Sequence, residues 1–261
     1  MAGVSQTNLK IIAQDCVDKI AGEKAEGEFF TEPFKHLVID NFLPAELADR
    51  CLNSFPSVAD GDWDQSTDED IEVKYRSRWQ SEFDIPENIV DVVRLMNSAP
   101  FLLAMGEKFG IPKIVPDPYF AGGGLNVSVK GGLLGAHVDG NYHDPTGLNR
   151  RLNALIYLNP EWKPEWGGAF GIYDSEGQEC VKKIAPLHNR LIIFDTHDYS
   201  FHGFPEAINF PDEHPRRSII LYYYTKAARP ESQTVVDKPH SALWVKRGLK
   251  DKRGNTSRQF T

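Results

Sequence analysis

From Pro118 onward the chain is written in short runs rich in Val, Ile, Tyr and Phe, among them LNVSV, LLGAHV, LNALIYL, AFGIY, RLIIF and RSIILYYY, each closed by glycines, prolines or acids. Strands of this length and spacing must pair with distant partners, as in a β-sandwich or barrel. Upstream the texture differs. Leu9, Ile12, Ala13, Cys16 and Ile20 recur three or four apart, which predicts an amphipathic helix over residues 8–20. His36 to Leu43 reads as a strand, and Pro44 opens a helix through AELADRCLNSF, where its missing N–H costs nothing. Residues 89–98 and 101–109 are helical by pattern, the second closed by Gly110. The fold class is therefore mainly β with flanking helices. A helical N-terminal region, residues 1–110, and a β core of about 111–225 form a single domain, 1–230, followed by a basic tail, 231–261.

With 41% hydrophobic and 25% charged residues the chain can bury a core, which excludes a disordered or collagen-like polymer. No run approaches the ~18 apolar residues of a membrane span. Met1 to Lys10 are mostly polar and lead into no signal-peptide core, so the expectation is a cytoplasmic protein without a membrane partner. Cys16, Cys51 and Cys180 stand too far apart for a C-x-x-C knuckle.

The net charge of −8 argues against the basic footprint of a nucleic-acid binder. The charge is uneven, however. Lys226 to Thr261 holds nine Lys or Arg against three acids, so this stretch carries +6 and the preceding 225 residues −14. A solvated terminus is expected there, with an anionic partner as the alternative. The stretch ADGDWDQSTDEDIE, residues 59–72, opens like a calcium loop. It has Gln65 where the sharp turn wants glycine and Ile71 where the site needs a bidentate glutamate, so a solvated acidic loop is expected instead.

His137-Val138-Asp139 is the only H-x-D of the chain. On a strand, residues two apart share a face, so this imidazole and carboxylate can converge on one point. His202, after the apolar run Leu191 to Phe194, is placed to be a third ligand from a neighbouring strand. Two histidines and one carboxylate form the facial triad of non-heme Fe(II) oxygenases, although zinc can use the same groups. In RRSIILYYYT, Arg216 and Ser218 share a face and can offer a guanidinium and a hydroxyl to one carboxylate, while Arg217 points away. Taken alone, Arg216 is more readily a surface charge.

Six ordered motifs, DPYFAGGGLNVSVKGG, HVD, RRLNALIYLNPEW with WGG, NRLIIFDT, FHGF and RRSIILYYYT, resemble the Fe(II)/2-oxoglutarate-dependent oxygenases, in particular the family of the prolyl 4-hydroxylase catalytic domain. The resemblance covers roughly residues 80–225. It implies a double-stranded β-helix, or jelly roll, with His137, Asp139 and His202 as iron ligands, and Arg216 with Ser218 holding the far carboxylate of 2-oxoglutarate. Tyr157 matches a tyrosine that donates to the same carboxylate in some prolyl hydroxylases, and Asn153 lies four residues earlier on that strand face. The implied reaction consumes O2, decarboxylates 2-oxoglutarate to succinate and CO2, and hydroxylates an aliphatic C–H, with ascorbate as an accessory reductant. A small-molecule or peptidyl substrate is implied. The carboxylate Asp139 favours hydroxylation over halogenation, which needs a small residue at that position.

Two departures stand out. Asn126, Val127 and Ser128 occupy the segment where prolyl hydroxylases often place a tyrosine, and the anchor is arginine where collagen-type enzymes use lysine. A cupin-like metal module without oxygenase activity and a nucleic-acid demethylase are the competing readings. His36, His143, His188, His197, His214 and His240 are expected to be ordinary surface or core histidines, His143 being the one whose loop follows the metal ligands and could border the substrate. Trp63, Trp79, Trp162 and Trp166 are expected in packing roles, and Tyr222 and Tyr224, but not Tyr223, should share the face of Arg216.

Overall fold

The computed structural model describes residues 4–23, 27–235 and 238–255. Its helices are α1 (Gln6–Ala21), α2 (Ala45–Asn53), α3 (Ile89–Met96) and α4 (Ala99–Phe109). Ser5 caps α1 by accepting from the Asn8 amide, and Gly110, at φ 70°, ends α4 in the left-handed conformation expected of it. The strand expected to run to Leu43 stops at Ile39, because Asn41 takes φ 49° and turns the chain into α2.

Among the described residues the strands form two antiparallel sheets. The large one runs in the order Gly27–Phe30, His36–Ile39, Leu191–Asp195, Leu148–Tyr157, Arg216–Thr225, Gly124–Ser128, Glu72–Ser77, Trp63–Asp68. The small one runs Cys180–Ile184, Phe170–Tyr173, His202–Gly203, His137–Val138, Leu243–Trp244. The two sheets are the sandwich that the short runs predict, in the jelly-roll form that the resemblance implies, with helices on the outer face of the large sheet.

Strand alternation separates two cores. On Leu148–Tyr157 and Arg216–Thr225, the side chains of Leu152, Ala154, Ile156, Ile219, Leu221 and Tyr223 face the helices. Tyr223 donates its hydroxyl to the Met96 carbonyl at the end of α3, so it does point away from Arg216 as expected. The opposite face carries Leu155 and Tyr157, which pack with Phe170, Ile172, Ile192 and Phe194 between the sheets. Burying both faces of the central strands is what makes their sequence nearly continuous in apolar residues.

A bulge interrupts the central pair of strands. Their register shifts between Arg150 and Leu152, so that Arg150 opposes Tyr224 and Leu152 opposes Tyr223. The extra residue turns Arg150 onto the inner face beside Asn153, although three residues separate them.

Two sequence expectations are corrected. The acidic stretch is not a loop: Trp63–Asp68 pairs with Glu72–Ser77 as a hairpin at the edge of the large sheet. Cross-strand partners and a place in the sheet override the poor strand propensity of its aspartates. Nor are residues 238–255 a solvated tail. Leu243–Trp244 adds an edge strand beside His137–Val138, and Trp244 is 2% exposed. The two corrections share a cause, since the basic segment lies against the acidic hairpin. Lys246 pairs with Asp70 at 2.9 Å, Arg247 with Asp68 at 2.6 Å, and Lys252 with Glu72. Residues 236, 237 and 256–261 of the tail lie outside the described residues.

Candidate metal centre

His137 and His202 come from adjacent strands of the small sheet and stand directly opposite each other. Gly203 lets that pairing happen, because a Cβ there would sit 2.6 Å from the Leu134 carbonyl oxygen and 2.7 Å from that of Gly135. Asp139 follows just beyond the strand. Its Oδ1 is 3.6 Å from His137 Nε2 and its Oδ2 3.5 Å from His202 Nε2, and one ligand atom from each of the three lies within 4.8 Å of the others. The geometry brings His202 to the His137–Asp139 pair of the H-x-D motif, as its place after the Leu191–Phe194 run predicts.

Both imidazoles are aimed. His137 Nδ1 donates to the Gly135 carbonyl and His202 Nδ1 to the Ser200 carbonyl, each at 2.9 Å. A carbonyl only accepts, so Nδ1 carries the proton and Nε2 is left with its lone pair toward the shared point, as metal ligation requires. Burial and the adjacent His137 push the His202 imidazolium down to about 4, against the pull of Asp139, so the ring is neutral at pH 7. Burial opposes the charge of Asp139, yet Arg150, His202 and His137 outweigh it and hold the carboxyl well below the usual carboxylate range.

Asn153, an outer candidate for the cosubstrate site by its strand face, contacts the metal side of the site. Its amide donates to Asp139 Oδ2 at 2.6 Å and its oxygen accepts from Arg150 Nε at 3.0 Å. It fixes the metal-ligating carboxylate instead. Arg150 lies flat over Tyr222, 3.4 Å from the ring centroid. Strand alternation alone puts Arg150 on the wrong face, which is why sequence reasoning missed it; only the bulge turns it inward. Trp244 was missed as well. Its ring stacks on His137 at 4.4 Å between centroids, with an interplanar angle of 22°.

Deeper between the sheets, Arg216, Ser218 and Tyr157 do meet. Tyr157 is the register partner of Ser218, and Ser218 that of Asn126, so three polar side chains form one row across three neighbouring strands. The Tyr157 hydroxyl, the Ser218 hydroxyl and the Asn126 amide nitrogen are all buried without a hydrogen-bond partner. Arg216 is 4% exposed and donates Nε to the Gly168 carbonyl at 2.7 Å. Gly168 sits at φ 67°, and a Cβ on it would come 2.9 Å from Arg216 Cδ. Among the described residues no carboxylate lies within ion-pair reach of Arg216. Burial pushes its guanidinium down and the Tyr157 phenol up. A buried charge and three orphaned polar groups cost several kcal/mol unless a ligand answers them, and the group that answers a guanidinium with hydroxyl donors is a carboxylate. The donor set therefore fits a 2-oxo diacid held at one end by Arg216, just as the triad fits Fe(II).

Above the triad opens a cleft of about 1270 Å³, walled by Tyr142, Tyr222, Tyr224 and Trp244 among others. His143 and His240 also line it. Each lies against a buried acid, His143 Nε2 3.0 Å from Asp117 and His240 Nε2 3.2 Å from Asp198.

Comparison with known proteins agrees with this geometry. Residues 123–224 match the model of the 2OG-Fe(II) oxygenase superfamily. Prolyl 3-hydroxylase OGFOD1 of Mus musculus is 31% identical over 86 residues, 31% of this chain and 15% of the mouse protein; that of Xenopus laevis is 35% identical over 71 residues, 26% and 14%. The match thus spans about one-seventh of these relatives' length. Among solved structures, a prolyl hydroxylase from Trichoplax adhaerens, in complex with a hypoxia inducible factor peptide fragment, superposes with a TM-score of 0.54 at 19% identity, covering 84% of this chain and 91% of that one. A Pseudomonas putida prolyl-4-hydroxylase gives 0.52 at 18% identity, covering 81% and 99%. Residues 123–224, which match the 2OG-Fe(II) oxygenase superfamily, are the ones that carry the triad and the Arg216 pocket, and the fold around them is shared with these two prolyl hydroxylase structures.

Proposed function

We propose that this chain is an Fe(II)- and 2-oxoglutarate-dependent dioxygenase that hydroxylates an aliphatic C–H, with a prolyl residue of a peptide as the substrate class. The observation that carries the reading is Arg216, a buried guanidinium with no counter-anion, set beside the unpartnered hydroxyls of Tyr157 and Ser218. A cupin-like metal module or a structural zinc site gives that arginine nothing to do.

His137, Asp139 and His202 would hold the metal, being the two-histidine, one-carboxylate donor set that suits non-heme Fe(II). Arg216, Ser218 and Tyr157 grip the far carboxylate of 2-oxoglutarate, and Asn153 keeps Asp139 in its ligating orientation. The iron, when bound, supplies the redox chemistry in which O2 is reduced at the expense of 2-oxoglutarate. One oxygen atom enters the C–H bond, the other enters succinate, and CO2 leaves. The rings of Phe170 and Phe194, stacked or edge-on to His202 at 5.4 and 4.7 Å, keep water from the imidazole's flanks. A peptidyl substrate is supported by the cleft, whose volume exceeds the ~300–1,000 Å³ of small-molecule sites, and by the activity named for the relatives.

Anaerobic addition of Fe(II) and 2-oxoglutarate should give the metal-to-cosubstrate charge-transfer band, and admitting oxygen should yield succinate. His137→Ala and His202→Ala should each lose both signals, with metal affinity falling by more than the ~10–100-fold typical of losing an outer-shell partner. A wild-type protein that gives neither band nor succinate ends this reading.

A further inference from the structure

The cleft mouth has a charge opposite to that of the molecule around it. Of its lining residues, six are Lys or Arg and four are Asp or Glu, in a chain of net charge −8. Pairing trims this excess but leaves it positive: Arg76 is met by Asp64 at 2.6 Å and Arg150 faces Asp139 at 3.9 Å, which leaves Lys74, Lys250, Lys252 and Arg253 against Glu72, Asp144 and Asp251. Lys74 at 2.6 Å and Lys252 share one carboxylate, that of Glu72, so this trio keeps a net positive charge. Asp251 is turned inward, accepting from the amides of Arg253 and Asn255 at 2.8 Å and from the Ser241 hydroxyl at 3.2 Å. Lys250 and Arg253 line the mouth, are exposed, and have no acidic partner within ion-pair reach among the described residues. Asp139 is committed to the metal point.

From this we propose that the segment taken up by the cleft is an acidic peptide, with carboxylates flanking the residue that is hydroxylated; the proposal rests on the oxygenase reading above. A cationic rim inside an anionic surface focuses the field on the cleft, attracts a short anionic segment and repels anything that must lie along the body as well. That second property separates a peptide from a nucleic acid. A polynucleotide carries a charge at every unit and would run beyond the rim onto the acidic surface, whereas a few carboxylates fit within it. The positive field comes mainly from the C-terminal segment folded over the cleft, so the basic stretch finds its role in selection rather than as a free tail.

The test uses the protein loaded with Mn(II) and 2-oxoglutarate, which binds without turnover, and fluorescein-labelled peptides of alternating Glu-Pro, Gln-Pro and Lys-Pro, read by anisotropy. Glu-Pro should bind about tenfold tighter than Gln-Pro, a difference of ~1.4 kcal/mol, and Lys-Pro weaker than both. The gap should close at about 0.5 M salt, where the screening length falls to a few ångström. The double variant Lys250→Glu with Arg253→Glu, checked for an unchanged melting temperature, should abolish or reverse the order. Equal binding of the three peptides, no binding of any, an unchanged order in the double variant, or tighter binding of a labelled oligothymidylate than of Glu-Pro each overturns the proposal. The charge-transfer band and succinate assay report separately on the oxygenase reading, so a positive band with the wrong peptide order sinks this inference alone.

Discussion

The floor of the site and its mouth are built on opposite principles. On the floor, Arg216, Ser218, Tyr157 and Asn126 are buried in polar groups that find few or no partners within the protein. At the mouth nearly every charge of the acidic hairpin is met: Asp68, Asp70 and Glu72 by Arg247, Lys246 and Lys252 of the C-terminal segment. The floor thus gives up stability in order to be ready for a ligand of one chemistry, and the mouth gains stability by closing the fold. Variants should split along the same line, with mouth changes seen in folding and floor changes seen in cosubstrate binding.

The largest effect expected is at Trp244, where the mouth touches the metal centre. Trp244→Ala removes a ring that is 2% exposed and stacked on His137. Truncating a buried aromatic costs about 3–5 kcal/mol, so chemical denaturation should show a marked loss, and Co(II) titration of the folded fraction a weaker site. Trp244→Phe keeps a ring against the imidazole and should recover most of the metal affinity. If Trp244→Ala left both melting and metal affinity unchanged, the C-terminal segment would be an ornament on the fold rather than a wall of the site.

Arg216→Met should do the reverse. It removes a charge-assisted contact worth ~1.5–3 kcal/mol, so the dissociation constant for 2-oxoglutarate should rise by about 10- to 100-fold while Fe(II) affinity holds. Because a buried charge without a counter-ion is exchanged for an apolar chain of similar length, the unliganded variant should melt no lower than wild type, and higher if the desolvation argument is right. A variant that loses stability without losing 2-oxoglutarate would reverse the contrast between floor and mouth.

How much of this was readable in the sequence follows from the same contrast. The floor obeys strand alternation. Arg216, Ser218, Tyr222 and Tyr224 share a face because every second residue must, and so do Asn153 and Tyr157, so the inner face could be written down from period two. The triad needed only the H-x-D pair and one more strand end. Arg150 was hidden because the bulge between Arg150 and Leu152 breaks the period locally, and no residue type announces it. Asn153 was put on the right face, but its contact with Asp139 was not foreseen, since alternation gives a direction and not a depth along the strand. The mouth was illegible for another reason. Its acidic hairpin and basic segment are nearly 180 residues apart, each looks solvated by itself, and only long-range pairing gives them structure. Opposite charge blocks separated in sequence were a signal for that pairing.

The smallest effect, and the finest probe of the mouth, is the pH dependence that Glu72 confers. Burial opposes its ionisation, but Lys74 and Lys252 outweigh that cost and hold the carboxyl far below the ordinary glutamate range. A carboxyl with a depressed folded-state pKa contributes stability in full above its unfolded value of ~4.3 and loses that contribution as pH falls toward the folded value. Glu72→Gln should therefore be destabilised by about 1 kcal/mol near neutrality, the order of a partly exposed ion-pair cluster. The gap between variant and wild type should narrow steadily as pH drops from about 5 toward 2. At high salt the gap at neutral pH should also shrink, because Lys252 is exposed to solvent. A gap that stayed constant through the acid range would mean that Glu72 acts there through packing rather than charge, and the clasp between hairpin and C-terminal segment would then be steric.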